Sequence, residues 1–359
     1  MSMNPLSAAL LTAGLALTLS FAPREELYQV IDAHPHAVAE LTPFVETAHQ
    51  SGRLWVVRPR AELPAHVRRS LRRLRGGERS YRFLDRLKER LPGPRARALR
   101  ERIAGVDGER IKRDVALLAG LETRVAGSAG NREAVALVAE RLRGLGYVVS
   151  FSCYAPAACN VIAERPGQVA PEHVSVVMAH VDSVGEAFAG ADDNATGVAS
   201  LLEIGRVLAA HPNRKSVRLV VTNGEEQGLL GSVFYARELE RAGTLREIGL
   251  LINMDMIGYN QDGVLELETS AEQEATARWL GQLALRYTAL SPKITVGAWG
   301  SDHVPFLRRG VPAVLTIENW DTKNPCYHRS CDTPEKINYA YATEVARLNA
   351  AALLDRDAE

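Results

Sequence analysis

Two histidines and a set of carboxylates stand where the chain passes from buried-strand pattern into loop. They are His180 and Asp182 in MAHVDS, Asp192 and Asp193 in GADDNATG, Glu225 and Glu226 in NGEEQGLLGS, Asp255 in NMDMIGY and His328 in CYHRSCDT. Two imidazoles with three carboxylates make the donor inventory of two borderline-soft divalent ions that share one bridging carboxylate. One more glutamate beside a ligand is the base that water needs in such a centre. The chemistry implied is metal-assisted hydrolysis.

Positioning these groups requires a sheet. From residue 108 onward the chain alternates helical and strand patterns. Apolar residues at helical spacing predict helices over 110–121, 131–145, 197–210 and 231–242. Apolar, β-branched runs predict buried strands over 160–163, 174–178, 217–221, 250–254 and 313–317. Strands alternating with helices argue for an α/β fold, a three-layer α/β/α sandwich around a mixed, largely parallel sheet. In such sheets ligand sites collect beyond the carboxyl ends of the strands. His180 follows SVVMA, Glu225 and Glu226 follow RLVVTNG, and Asp255 follows LLINM, so three strand ends converge on one edge. A single histidine after a strand is more often a structural residue, so the convergence carries the reading.

Within the motifs, Asp182 lies two residues beyond His180, on the same side of an extended segment. It can accept from the second imidazole nitrogen and fix the tautomer. Spacing does not choose between Asp192 and Asp193, nor between His328 and His303 of GSDHVPF as the second imidazole. Adjacent glutamates point in different directions, so Glu225 and Glu226 can divide the tasks of base and ligand. The plainer reading, an acidic pair capping a helix that starts near Gly228, is outweighed by the buried-type strand before it. The sequon Asn194-Ala195-Thr196 is discounted because its loop should line the site.

The chain has 359 residues, 46% hydrophobic, with no net charge, which implies a globular protein and no bulk electrostatic partner. Residues 53–113 hold 20 Lys/Arg against 7 Asp/Glu. The segment 23–106 reads as a basic, prosegment-like extension, with a short strand at 54–57 and basic helices over 64–99. It lacks the aromatic interleaving of a nucleic-acid surface, so no nucleic-acid partner is expected. The apolar run Pro5–Ala22 resembles a secretory leader, giving residues 1–22 as a signal peptide and an exported, secreted or periplasmic, protein; a cytoplasmic location is the alternative. No later run is long and apolar enough to span a bilayer. Four cysteines form two local pairs, Cys153/Cys159 and Cys326/Cys331, and neighbour pairing is the simplest of three. The main domain is placed at 107–355.

In motif order, HVD, GADDN, GEEQGLLGS, NMDM and CYHRSCDT, preceded by LETRVAGSAGN and NVIAERPG, resemble the co-catalytic dinuclear zinc aminopeptidases. That family includes secreted bacterial leucine aminopeptidases and, more distantly, glutamate carboxypeptidase II, the glutaminyl cyclases and the transferrin receptor ectodomain. The resemblance runs from Arg110 to Ala351. It implies two Zn²⁺ ions, one held by His180, Asp193 and Asp255, the other by Asp193, Glu226 and His328. It also implies Glu225 as general base, Asp182 as partner of His180, Tyr327 as an oxyanion donor, and a bridged Cys326–Cys331. The substrate implied is a peptide with a free N-terminus. Carboxypeptidase or dipeptidase action on the same fold is the alternative, but no arginine cluster for a substrate carboxylate is evident. A non-catalytic metal-binding ectodomain would be expected to have lost ligands or base, and none is missing.

Overall fold

The computed structural model describes residues 28–30, 41–51, 54–60, 63–64, 67, 71–73, 78–83 and 93–358 except 186, 298 and 299. The leader expected over residues 1–22 lies outside the described residues.

The first four strands, β1 (Tyr28–Val30), β2 (Val45–Ser51), β3 (Leu54–Pro59) and β4 (Leu71–Arg73), form an antiparallel sheet of order β2-β3-β1-β4. It has its own apolar cluster, including Val30, Leu41, Trp55, Val57 and Leu71. Where basic helices were expected over 64–99, the described residues show Val67 in a helix, then β4, a fifth strand β5 (Arg79–Arg82), and a helix, α1 (Pro94–Ile103). Arginine favours helix only weakly. At β5 that preference yields to pairing with the main sheet.

That sheet has nine strands. Besides β5 they are β6 (Val148–Ala155), β7 (Ala158–Arg165), β8 (Ala170–His180), β9 (Lys215–Thr222), β10 (Ile248–Met254), β11 (Val264–Thr269), β12 (Ser291–Val296) and β13 (Ala313–Glu318). Their order is β5-β12-β11-β13-β10-β8-β9-β7-β6. The central four, β13-β10-β8-β9, are parallel, while antiparallel pairings enter toward both margins.

Period-two alternation along the central strands builds the layers. Val177 and Ala179 of β8, Leu219 and Val221 of β9, and Ile252 and Met254 of β10 face one cluster. That cluster also takes residues of α1, α2 (Gly108–Ala119), α3 (Ala129–Gly144), α4 (Gly197–Ala209), α6 (Glu274–Tyr287) and α8 (Tyr339–Asp357). Val176, Met178, Val220 and Leu251 face the other side, against Tyr235, Ala236 and Leu239 of α5 (Leu230–Ala242) and Phe306 of α7 (Val304–Leu307). Fully burying each Val, Leu or Ile contributes about 1.5–3 kcal/mol, which ties both helical layers to one sheet. The expected sandwich is the fold observed.

The sheet and its core begin upstream of residue 107. β5 pairs with β12, and Phe83, Leu99, Ile103 and Val106 lie in the same cluster as the central strands. Phe83 is 3% exposed and packs over Gly281, where an added Cβ would meet its ring. Phe83→Ala is therefore expected to destabilise the whole domain by about 3–5 kcal/mol in chemical denaturation, the usual cost of truncating a buried Phe. An extension that only rests on the domain would give a change below about 0.5 kcal/mol.

Candidate metal centre

Three parallel strands stop at the site. His180 is the last residue of β8, Asp255 follows β10, and Glu225 and Glu226 lie three and four residues beyond β9. The turn before Asp193 needs Gly190, at φ 53°, where a Cβ would collide with the Asp193 carbonyl oxygen. The Asp193–Asn194 peptide bond is cis. Asn194 then anchors the loop, its Nδ2 donating to the Met254 carbonyl at 2.8 Å and its Oδ1 accepting from the Gly197 N–H at 3.0 Å.

The distances join these groups into two sets that share one residue. His180 Nε2 lies 3.2 Å from Asp193 Oδ1 and 3.3 Å from Asp255 Oδ1. His328 Nε2 lies 3.1 Å from Asp193 Oδ2 and 3.1 Å from Glu226 Oε2. Each oxygen of Asp193 therefore faces a different imidazole. Within each set the donor atoms lie within 4.8 Å of one another. A third combination, His180 with Glu225 and Glu226, satisfies the same limit, so Glu225 borders the site without joining the pair of sets linked at Asp193. His303, the rival imidazole, is buried at the start of α7 and belongs to none of these sets.

Asp182 lies beside the second imidazole nitrogen of His180 and also makes contacts that its spacing did not suggest. The Asp182 backbone carbonyl is the nearer group to His180 Nδ1, at 3.2 Å, with the carboxylate at 3.6 Å. The carboxylate accepts the backbone N–H groups of Glu225 at 3.2 Å and Glu226 at 3.1 Å. It thereby sets the turn that aims both glutamates.

His328 sits at φ 54°, a left-handed conformation uncommon for a non-glycine residue. Its loop is closed by the Cys326–Cys331 disulfide, and Cys153–Cys159 is bridged as well. The Tyr327 ring stacks on the His328 ring at 3.8 Å between centroids and meets Trp320 edge-on at 5.1 Å. Beneath lies a network the sequence reading did not single out. The Asp332 carboxylate accepts from the Asp192 N–H at 3.0 Å and the Asp193 N–H at 3.1 Å. Asn324 Nδ2 donates to Asp192 at 3.0 Å, and Asp192 also accepts from the Gly258 N–H at 2.7 Å. Asp192 is thus occupied in holding the loop, while Asp193 faces the imidazoles. The available signal for Asp332 was its place directly after Cys331 in CYHRSCDT.

Charge is crowded here. Burial pushes Glu225 well above the usual carboxylate range, with Asp255, Glu226 and Asp302 adding to the rise against His180. Burial and Asp193 also push Glu226 up, to about 8. Burial acts to raise Asp193 too, but both histidines override it and hold that carboxyl low. Burial would lower His328, yet Asp193 and Glu226 raise it to about 10, and His180 is likewise raised by Asp255, Asp182 and Asp193. Asp193 touches two imidazoles and keeps its negative charge, whereas Glu226 touches one and gives way to burial. The pocket draws positive charge into itself.

Known proteins resemble this chain in sequence and in fold. The chain is 29% identical over 205 residues to Aminopeptidase YwaD of Bacillus subtilis, covering 55% of this chain and 44% of that protein. It is 28% identical over 240 residues to Leupeptin-inactivating enzyme 1 of Streptomyces exfoliatus, covering 60% and 53%. The chain thus spans about half the length of these curated relatives. The crystal structure of LapB from Legionella pneumophila superposes with a TM-score of 0.70 at 18% identity, covering 93% of this chain and all of that one, which establishes a shared fold. The model of peptidase family M28 matches residues 160–353, more than half of the chain and every candidate ligand described above, and the protein belongs to that family.

Proposed function

We propose that the chain is a metal-dependent aminopeptidase that releases N-terminal residues from peptides, with two zinc ions as its resident cofactor. The observation that carries the reading is the pair of donor sets joined at Asp193, whose two carboxylate oxygens face His180 and His328 separately. The donor chemistry fits zinc: imidazole and carboxylate, with no thiolate, since all four cysteines are bridged. Glu226 Oε1 is buried without a hydrogen-bond partner, as suits an oxygen reserved for a cation. His180, Asp193 and Asp255 would hold one ion, and Asp193, Glu226 and His328 the other. The aminopeptidase name of the Bacillus relative points the same way.

Bound there, the ions would polarise the scissile carbonyl and acidify the attacking water. Glu225 takes the water's proton and delivers it to the leaving amine, a task suited to a carboxyl whose basicity burial has raised. Asp182 holds the Glu225–Glu226 turn through its two backbone N–H groups. Tyr327, ordered against His328 and Trp320, donates its hydroxyl to the developing oxyanion. The surplus of carboxylates favours a cationic substrate group, and a free α-ammonium is the one every peptide carries. Two disulfides suit an oxidising compartment, so the protein works outside the cytoplasm. Among the described residues no helix is long and apolar enough to cross a membrane. Aminoacyl anilides test the reading. Turnover should require a free α-amine, stop with a chelator and return with zinc, whereas cleavage of N-acetylated substrates or from the C-terminus would contradict it.

The residue roles separate by experiment. Glu225→Gln should retain both metals and lower kcat by at least ~10²-fold, the usual contribution of a general base. Glu226→Gln should instead lose metal, and Asp193→Ala should lose both ions by elemental analysis. Either glutamate behaving as the other would reverse the assignment.

The ion-free state has a pH signature. His328 is raised from 6.5 to about 10 and Glu226 from 4.5 to about 8, so the folded state binds more protons than the unfolded chain. Their stabilisation is complete below the unfolded values and is lost as pH rises through the folded ones. Asp193, held low, gives a stabilisation that is complete above 3.8 and is lost only as pH falls below it, so it adds no slope in this window. Chelated protein should therefore show a falling Tm from pH 6.5 to 10, while zinc-loaded protein, with its imidazoles already deprotonated by the metal, should not. A flat or rising Tm for the chelated protein in that window would count against the charge distribution described.

A further inference from the structure

Arg124 is 1% exposed and is among the largest fully buried side chains of the described residues. Its guanidinium donates to four backbone carbonyls. Nε reaches Val181 at 2.9 Å, Nη1 reaches Leu118 at 3.1 Å and Ala189 at 2.5 Å, and Nη2 reaches Gly190 at 2.8 Å. Val181 directly follows His180, Gly190 stands three residues before Asp193, and Leu118 lies in the last turn of α2. The Arg124 main chain is stitched to the same region. Its N–H donates to Ser183 Oγ at 3.2 Å, and its carbonyl accepts from the Ser183 N–H at 3.2 Å.

A guanidinium buried this far loses its hydration, a cost that carbonyl dipoles alone offset poorly. Burial lowers its pKa, and the negative field of Asp332, Asp182, Asp193 and Glu226 opposes that cost without cancelling it. The planar fork explains why arginine is used. Its donors, fixed in one plane, span three separate segments, which a lysine ammonium on a flexible stem does not.

We propose that Arg124 is a positioning residue for the metal centre, fixing the segment after His180 against the segment before Asp193 before any ion binds. The inference rests on the two-ion reading above. Position and charge make opposite predictions. A cation acting through charge alone repels the incoming metal, so its removal would tighten binding. A clamp that orients ligands loosens binding when removed, by the 10–100-fold typical of partners that hold metal ligands.

Zinc affinity measured by chelator competition on wild type, Arg124→Lys and Arg124→Met decides between them, with metal-free melting curves confirming that each variant folds. Both variants should bind ~10–100-fold more weakly, the lysine variant included although it keeps the charge. Equal or tighter binding by a folded variant overturns the proposal. Native-state hydrogen exchange supplies a measurement that needs no variant. In metal-free wild type the Ser183 and Asp193 amides should already be protected, and loading zinc should change them little. Free exchange that becomes protected only on loading would show that the ions assemble the loops, and would overturn the proposal even if neither variant folds. Wild type that binds fewer than two zinc equivalents refutes the two-ion reading instead, a result distinct from any change caused at Arg124.

Discussion

Everything around the site follows from a single carboxylate placed between two imidazoles. Asp193 offers Oδ1 to His180 and Oδ2 to His328 at 3.2 and 3.1 Å, in a pocket where it is 6% exposed. With Asp255 and Glu226 completing the sets, negative charge is gathered where water cannot screen it. Such an arrangement is costly unless cations enter, and in their absence the pocket recruits protons, as the raised histidines and Glu226 show. The folded chain must therefore hold like charges together without help from the ions.

It does so with polar contacts to backbone. Asp182 fixes the turn of the two glutamates, and Asp332 grips the N–H groups of Asp192 and Asp193. Because Asp332 follows Cys331, one short bridged loop controls both His328 and the backbone of the shared carboxylate. Asn160 accepts the Asn223 N–H at 3.0 Å and donates to the Gly231 carbonyl at 3.0 Å, fastening the β6–β7 hairpin to the segment that carries Glu225. Apolar packing fixes the strands, and hydrogen bonds to main chain fix the loops beyond them. A buried network of this kind orders its members only if each is satisfied, so the loss of one partner is felt at several ligands.

The central strands were legible because β8, β9, β10 and β13 carry mostly apolar runs rich in valine, leucine and isoleucine, and the ends of the first three named His180, Glu225, Glu226 and Asp255 directly. The margins were not. β11 buries Glu266 and Glu268, and β12 buries Lys293 against Glu266 and Asp321, so their polar letters concealed buried strands. β5 is arginine-rich and read as helix, and only its pairing with β12 makes it a strand. Choosing Asp193 over Asp192 and His328 over His303 exceeded what spacing could do, and resemblance supplied both choices. The structure gives the physical difference: Asp192 is taken up by Asn324 and Gly258, and His303 is buried and belongs to none of the donor sets. Arg124 lies in LETRVAGSAGN, a segment the resemblance marked, but its role was not legible there, because its partners are backbone carbonyls, which no residue pattern reports.

The central claim is that two ions share Asp193, and anomalous scattering from crystals of the zinc-loaded protein tests it most directly. Data collected on both sides of the zinc absorption edge should show two peaks, one among His180, Asp193 and Asp255 and one among Asp193, Glu226 and His328, each contacting a different oxygen of Asp193. A single peak, or a second peak held by Glu225 in place of Asp193, would contradict the account.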